Sequence, residues 1–488
     1  MDFIIKYLIC NYRKSMTFNQ IYDQALKKYQ EKSYDESIEL LNIILEQNDA
    51  HYHSWHLLGN IFFNLDDLDS AKDFFLAAIN KKNDFFDAYY MLGNVLFKAN
   101  LFEDAINIWI EGSQYNPYFA LSFANIAIAY DRLGKKDQAI FYAQKTLTLD
   151  KNCVEAFFCL AKIYQANQDL KNTQSYLEKV LQLQPSNVLA HFDLAYVKLA
   201  LGNYEEGFKE FEYRKKMINR EQEYNYLPFK LYQGESLQEK HLLLYHEQGF
   251  GDMIQFIRFI EELNCKKISI GIQNPLHKLF AYNFPHIEFL SEIKDSMPFD
   301  CMKALMSAPF MAQINTINPQ KYLDVKEEDI LNFKKKHLTS EKFNIGLVWK
   351  ASTANTQSDI KSLHLKELES ILKKAHCQFF SLQIENFEEA LNTPVTLIGQ
   401  EFKNFYDTAV ALKSLDLFIG VDTAVSHLAG ALGVKSYLIY SSNTIDFRWT
   451  KDNKKSLWYE SVEVFSKEEM EHINTNLDNL IKEKLNDL

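Results

Sequence analysis

Aligned against itself at a period of 34 residues, the first part of the chain places a small residue at one phase six times, at Ala25, Gly59, Gly93, Ala127, Ala161 and Ala195. Large apolar residues stand one position earlier (Leu58, Leu92, Ile126, Leu160, Leu194) and four earlier (Trp55, Tyr89, Phe123, Phe157), a spacing that stacks bulky and small groups on one helical face. Twelve residues after the first small position comes a second, at Ser37, Ala71, Ala105, Ala139, Thr173 and Gly207. Paired helices need such notches, because their backbones approach only where side chains are short. Asp49, Asn83, Pro117, Lys151 and Pro185 then close the second helices. The pattern predicts six helical hairpins over residues 18–221, with Trp55, Phe75, Tyr89 and Trp109 in their cores.

After Glu223 the period is lost, and Pro228 and Gly234 mark a boundary between 222 and 238. Strand-like and helix-like text then alternates: a strand from His241 to His246, a helix from Asp252 to Leu263, a strand from Lys267 to Ile272 and a helix from Pro275 to Tyr282. Periodicity weakens through Pro285, Pro298, Pro309 and Pro319. A second series follows, with strands at 344–349, 378–382, 416–421 and 436–440 and helices from about Lys366, at 406–415 and at 424–432. Two α/β lobes are expected, 222–338 and 339–488, with a ligand cleft where the carboxyl ends of their strands face each other.

Composition narrows the classes. With 47% hydrophobic and 24% charged residues among 488, the chain is globular rather than disordered, and a net charge of -12 offers no general field for nucleic acid or anionic lipid. Six cysteines (Cys10, Cys153, Cys159, Cys265, Cys301, Cys377) without a C-x-x-C pair suit reduced thiols in the cytoplasm. The apolar stretch from Phe3 to Cys10 is too short to span a bilayer, so no transmembrane segment is expected, and residues 1–17 read as a flexible leader.

The first cleft loop reads His246-Glu247-Gln248-Gly249-Phe250-Gly251-Asp252. Gly249 and Gly251 permit close backbone approach, while Asp252 is either a helix cap or a general base whose proton affinity Glu247 would raise by like-charge repulsion. Gln255 could orient a polar ligand, and Arg258 lies one turn further. Ile254 stands where a dinucleotide fingerprint needs glycine, Gln273 and Asn274 where it needs an acid, and no G-K-[ST] occurs. In the second lobe a buried strand runs through Val421 into Asp422-Thr423-Ala424-Val425-Ser426-His427. Such a helix start offers free N–H groups to a diphosphate, Thr423 and His427 could add contacts, and Lys361 could supply a cation. The alternatives are a cap at Asp422 or Thr423, a packed His427 and a solvated Lys361. Asp66, Asp67 and Asp69 imitate a metal-binding D-x-D, but fall at a helix turn where capping explains them, and no metal site is expected.

The first half resembles the tetratricopeptide repeat, in which W-x-x-L-G-x-x-Y opens one helix and A-x-x-x-F-x-x-A marks the next. The H-E-Q-G-F-G-D-M-I-Q-F run at 246–256, G-L-V-W at 346–349, D-T-A-V-A-L at 407–412, V-D-T-A-V-S-H-L-A-G-A-L-G at 421–433 and D-F-R-W at 446–449 complete the likeness. Together they resemble bacterial tetratricopeptide proteins carrying a heptosyltransferase-like glycosyltransferase domain of the GT-B kind, with two Rossmann-like lobes. The resemblance implies a metal-independent transferase without cofactor: Asp252 as base, 423–427 as the donor-phosphate site, a nucleotide-sugar co-substrate, and an acceptor protein, a flagellin for instance, held as peptide in the repeat groove. The sequence departs from that pattern at Lys350-Ala351-Ser352-Thr353, where a glycine is expected, and its basic stretch is reduced to Lys361. A scaffold that has lost turnover is the competing reading. Arg448, Trp449, Trp458 and Tyr459 match a late aromatic run that could stack on sugar or form a packed edge between the lobes.

Overall fold

The computed structural model describes residues 17–218, 227–247, 249–339, 341–351, 361–440, 446–449, 451–452 and 454–486. Residues 1–16 of the expected leader, 222–226 of the lobe boundary, Gln248 and the loop from Ser352 to Asp359 lie outside the described residues. Two compact units divide the chain: the described residues up to Tyr164 with Lys171–Pro185, and Gln165–Leu170 with the described residues from Ser186 onward.

Five hairpins fall in the first unit, the turn of the fifth excepted: Phe18–Gln30 with Tyr34–Gln47, Tyr52–Asn64 with Leu68–Lys81, Phe86–Lys98 with Phe102–Gly112, Ala120–Arg132 with Lys136–Leu149, and Val154–Ala166 with Leu170–Leu183. The small phase is a steric requirement. A Cβ at Gly59 would stand 2.6 Å from the Phe75 ring, and one at Gly93 would stand 2.2 Å from Trp109 Nε1. The buried Trp109 Nε1 donates instead to the Tyr90 carbonyl at 3.0 Å. At the second phase Ala71, Ala105 and Ala139 are wholly buried, and Ser37 Oγ donates to the Ala25 carbonyl at 2.8 Å. Each hairpin turns through a left-handed residue at a third common phase: Lys32, Asp66, Asn100, Gly134, Gln168 and Gly202. Asp67 Oδ1 accepts from Ser70 N at 3.1 Å, so the acidic turn there is a helix cap.

The second unit opens with the sixth hairpin, Val188–Ala200 and Tyr204–Phe211, and a short helix Arg214–Ile218. Leu199, Phe208 and Phe211 of this hairpin share one apolar core with Phe256, Phe259, Phe447 and Trp458 of the α/β region. Four parallel strands, β1 His241–Tyr245, β2 Lys267–Gly271, β3 Glu288–Leu290 and β4 Cys301–Ala304, form the first sheet in the order β3-β2-β1-β4. The second sheet contains β5 Phe343–Val348, β6 Cys377–Ser381, β7 Val395–Leu397, β8 Leu417–Gly420, β9 Ser436–Tyr440, β10 Lys451–Asp452, β11 Lys455–Ser456 and β12 Val462–Ser466. Its order is β10-β11-β12-β9-β8-β5-β6-β7, antiparallel only at the β10–β11 and β11–β12 pairs.

Two helix expectations need correction. The helix after β1 starts at Phe250, because Gly249, in extended conformation, is its N-cap, which makes Asp252 the third helical residue; it ends at Phe256 and continues as a 3-10 helix over Ile257–Glu262. The helix expected from Lys366 is a 3-10 turn, Leu365–Leu368, followed by Glu369–Leu372. Its buried residues Leu365, Leu368 and Ile371 recur every three positions, the repeat that suits a 3-10 helix.

Candidate functional site

In an open parallel sheet, ligands lodge where strand order reverses, outside the carboxyl ends of the flanking strands. In the first sheet that point lies between β1 and β4, and in the second between β5 and β8.

The first crevice is filled by the sixth hairpin's neighbour Arg214. This fully buried guanidinium donates to Glu247 Oε2 at 2.5 Å, Ser307 Oγ at 3.0 Å, Glu212 Oε1 at 2.9 Å and the Phe211 carbonyl at 3.1 Å. Ser307 Oγ donates to Glu212 at 2.6 Å, and Lys215 Nζ lies 3.0 Å from that carboxylate. Burial pushes the Glu212 carboxyl up, yet Arg214, Lys215, Ser307 and Lys303 together hold it down to about 2. Glu247 is therefore matched by a cation. The expectation that it repels Asp252 is corrected: the carboxylates raising Asp252 are Asp446 and Asp422.

At the second crevice two distant segments meet. A Cβ added at Gly251 would stand 2.9 Å from His427 Cδ2 and 3.4 Å from Ala424 Cα, so glycine is required for the start of Phe250–Phe256 to reach the start of Ala424–Ala431. Asp252 Oδ1 accepts from Arg448 Nη2 at 2.8 Å, and its Oδ2 has no partner among the described residues. Arg448 Nε donates to Gln255 Oε1 at 3.1 Å and Nη1 to Asp446 Oδ1 at 3.2 Å. Burial raises the proton affinity of Asp252 and Arg448 opposes it, with the first effect the larger. Gln255 is wholly buried and its Nε2 has no partner among the described residues.

Asp422, at the end of β8, accepts from Trp449 Nε1 at 2.7 Å and from Lys361 Nζ. The cation expected to meet phosphate is thus paired with a carboxylate. Thr423 is the N-cap but makes no side-chain cap bond; its hydroxyl lies 3.5 Å from Ser426 Oγ, which donates to the Val421 carbonyl at 2.5 Å. Ala424 and Val425 are partly exposed in the first turn, where helix N–H groups lack intrahelical acceptors. His427 is buried, stacks on Trp449 with centroids 4.5 Å apart, meets the Tyr459 hydroxyl through Nδ1 at 3.0 Å, and places Nε2 3.9 Å from Asp422 Oδ1. Burial pushes its pKa well below the ordinary imidazole range, so the ring is neutral. Trp458 and Tyr459 are 0% exposed, which makes them a packed edge and rules them out as sugar-stacking platforms in this conformation. Arg258 belongs to that edge, lying 4.2 Å over the Tyr322 ring and donating to the Trp458 carbonyl at 3.1 Å.

Sequence reasoning overlooked Tyr196 on the sixth hairpin and the role of Asp446. Tyr196 sets its ring edge-on to Phe447, the neighbour of Arg448, at 5.0 Å. The one sequence signal was an arginine flanked by Phe447 and Trp449, a charged residue in apolar text.

In the repeat unit, a pocket of about 260 Å³ is lined by Phe63, Asn94, Phe97, Lys98, Asn125 and Ile128 among others. Asn125 Nδ2 donates to Asn94 Oδ1 at 3.0 Å and to the Tyr90 hydroxyl at 3.4 Å. No helix among the described residues is long and apolar enough to cross a membrane.

The chain is a tetratricopeptide-repeat protein with an α/β unit of two largely parallel sheets. Its similarities agree with the first part of that statement: a family model described as tetratricopeptide repeat matches residues 52–82, and one described as anaphase-promoting complex, cyclosome, subunit 3 matches residues 133–212. Protein FlbA of Caulobacter vibrioides is 20% identical over 520 aligned positions, covering 91% of this chain and 86% of that protein, so the match runs through both units. Anaphase-promoting complex subunit 3 of Schizosaccharomyces pombe is 23% identical over 202 positions, 41% of this chain and 30% of that protein. Among solved structures, MamA is similar at 19% identity with a TM-score of 0.32, over 34% of this chain and 96% of that one. YrrB, described as a TPR protein with an unusual peptide-binding site, is similar at 17% identity with a TM-score of 0.31, over 37% of this chain and 92% of that one.

Proposed function

We propose that the second unit is a glycosyltransferase of GT-B kind, moving a sugar from a nucleotide-sugar donor to an acceptor hydroxyl on a protein presented by the repeats. One observation carries the reading: the Gly249–Asp252 turn and the Thr423–His427 helix start, 171 residues apart between Asp252 and Thr423, pack against each other with a partly open carboxylate between them. Asp252 Oδ2 is available to take the acceptor proton while the hydroxyl attacks the anomeric carbon. The helix start and the hydroxyl of Thr423 would receive the departing diphosphate. The filling of the first crevice by Arg214 leaves the second as the nucleotide side. In the repeat unit, the Asn94–Asn125 pocket offers amide donors and an apolar floor to an extended peptide.

A second reading, a binding scaffold without turnover, is favoured by Asp422. This carboxylate, held by Lys361 and Trp449, stands one residue before the N-cap where a diphosphate would dock, and it must be screened or displaced for an anion to approach.

UDP-, GDP-, ADP- and CMP-linked sugars tested for protection against thermal unfolding separate the two readings. The transferase raises its Tm with one nucleotide class and releases that nucleotide when acceptor is added, and Asp252→Asn keeps the protection while losing about a hundred- to ten-thousandfold in turnover. Indifference to the whole panel, or undiminished turnover in Asp252→Asn, refutes it.

A further inference from the structure

The Asp252 carboxylate is held from outside its own lobe. Arg448, 7% exposed, bonds Asp252 and Gln255 of the first lobe and Asp446 of its own turn. On its other side stands the sixth hairpin, whose Tyr196 ring packs on Phe447, the residue before Arg448. Tyr196 itself is fixed by packing, edge-on to Phe447 at 5.0 Å and to Phe211 at 6.1 Å. A guanidinium is a planar fork, so anchoring Nε on Gln255 and Nη1 on Asp446 fixes where Nη2 points and which Asp252 oxygen it takes.

We infer that Tyr196 and Arg448 are positioning residues through which the sixth hairpin orients the Asp252 carboxylate, an assignment that rests on the base role proposed above. Their geometry commits Oδ1 to the guanidinium and leaves Oδ2 to the acceptor. Movement of the hairpin Val188–Phe211 against the turn Phe447–Trp449 is thereby transmitted to the reacting oxygen, which couples the last repeat to the chemistry. The charged groups facing Asp252 are Arg448 and Asp446 on that turn and Asp422 after β8, itself paired with Lys361; His427, on the facing helix, is neutral.

Arg448→Met, Arg448→Lys and Tyr196→Ala test this against the unmodified chain, with nucleotide release from the panel sugar that protects it. Arg448→Met is expected to lower kcat about a hundredfold with the donor KM unchanged, as for a reacting group misplaced by about an ångström. Removing the neighbouring cation also shifts the acid limb of the pH–rate profile to higher pH, since the carboxylate then protonates more readily. Lysine restores part of both, and Tyr196→Ala, which removes the ring from Phe447, shows the same signature more weakly. A lower Tm with an unmoved acid limb overturns the assignment. Independently of turnover, Arg448→Met lowers Tm by stranding the Asp252 charge, and adding Asp252→Asn restores most of the loss. Strict additivity of the two overturns the pairing. Absence of nucleotide release from the unmodified chain refutes the transferase reading alone, and the stability cycle still decides the pairing.

Discussion

The two units bury different chemistry. Among the described residues, the polar side chains buried in the repeat unit are hydroxyls: Ser37, Ser54, Ser122, Thr146 and Thr173. The second unit buries hydroxyls as well, Ser307 and Ser426 among them, but adds Arg214, Arg448, His427, Gln255 and Gln383. A hydroxyl can be satisfied by one nearby carbonyl, as Thr146 is by Tyr142 at 2.9 Å within its helix and Ser37 by Ala25 across its hairpin, and even the unpartnered Ser122 Oγ carries no charge. A guanidinium needs several acceptors from separate segments, and removing any one leaves charge in a poor dielectric. The repeat interior is therefore built from replaceable steric notches, and the α/β interior from charge pairs that tie distant segments together.

The sharpest way to break this contrast is to remove Arg214. Arg214→Met leaves Glu212 and Glu247 facing one another without their shared cation, and an uncompensated buried pair costs about 3–5 kcal/mol. Denaturant unfolding should show this loss in the second unit. A change of a few tenths would mean that Lys215 and Lys303 already satisfy Glu212, and that the crevice is not organised by Arg214.

Gly93→Ala probes the other kind of interior. Its new Cβ falls 2.2 Å from Trp109 Nε1 and forces the indole off its Tyr90 bond, an overpacking that costs about 1–3 kcal/mol. Because the notch is repeated, the damage should remain with the third hairpin, read as faster amide exchange in Phe86–Gly112 than in Tyr52–Lys81. Equal acceleration across all hairpins would show the stack to be more cooperative than a nearest-neighbour array.

The same contrast explains what was legible in the sequence. The notches at Gly59, Gly93 and Ala127 and their ring partners repeat, so comparison of the chain with itself exposes them, and the helix-start segments Gly249–Asp252 and Asp422–His427 stand out as glycine turns and small-residue runs after apolar strands. Their meeting at Gly251 and His427 followed from the expectation that strand ends share a cleft. Nothing periodic announces that Arg448 finds Asp252 and Gln255, or that Arg214 finds Glu247 and Ser307. A lone arginine reads as a solvated charge until the fold closes around it. The aromatic run at 447–459 had the reverse ambiguity, and full burial of Trp458 and Tyr459 resolves it toward packing.

Acid should separate the units most finely, because each has a titrating group that fails in its own window. Half-buried beside Phe75 and Phe85, the His56 imidazole is held down to about 4 from an ordinary 6.5, chiefly by desolvation, with Asp87 opposing. The unfolded chain binds that proton first, so its contribution to repeat-unit stability is complete above 6.5 and is lost as pH falls through the window toward 4. Glu212, held at about 2 against an ordinary 4.5, contributes fully above 4.5 and fails only as pH approaches 2. Amide exchange followed unit by unit should therefore show the repeats loosening between pH 6.5 and 4 through His56, while His427 sets a separate acid loss in the second unit and the Glu212 pairs hold until pH nears 2. His56→Phe, which keeps a ring against Phe75 and Phe85 but cannot protonate, should flatten the repeat unit's slope in that window and leave the second unit unchanged. An unaltered slope would place the acid sensitivity of the repeats elsewhere than in His56.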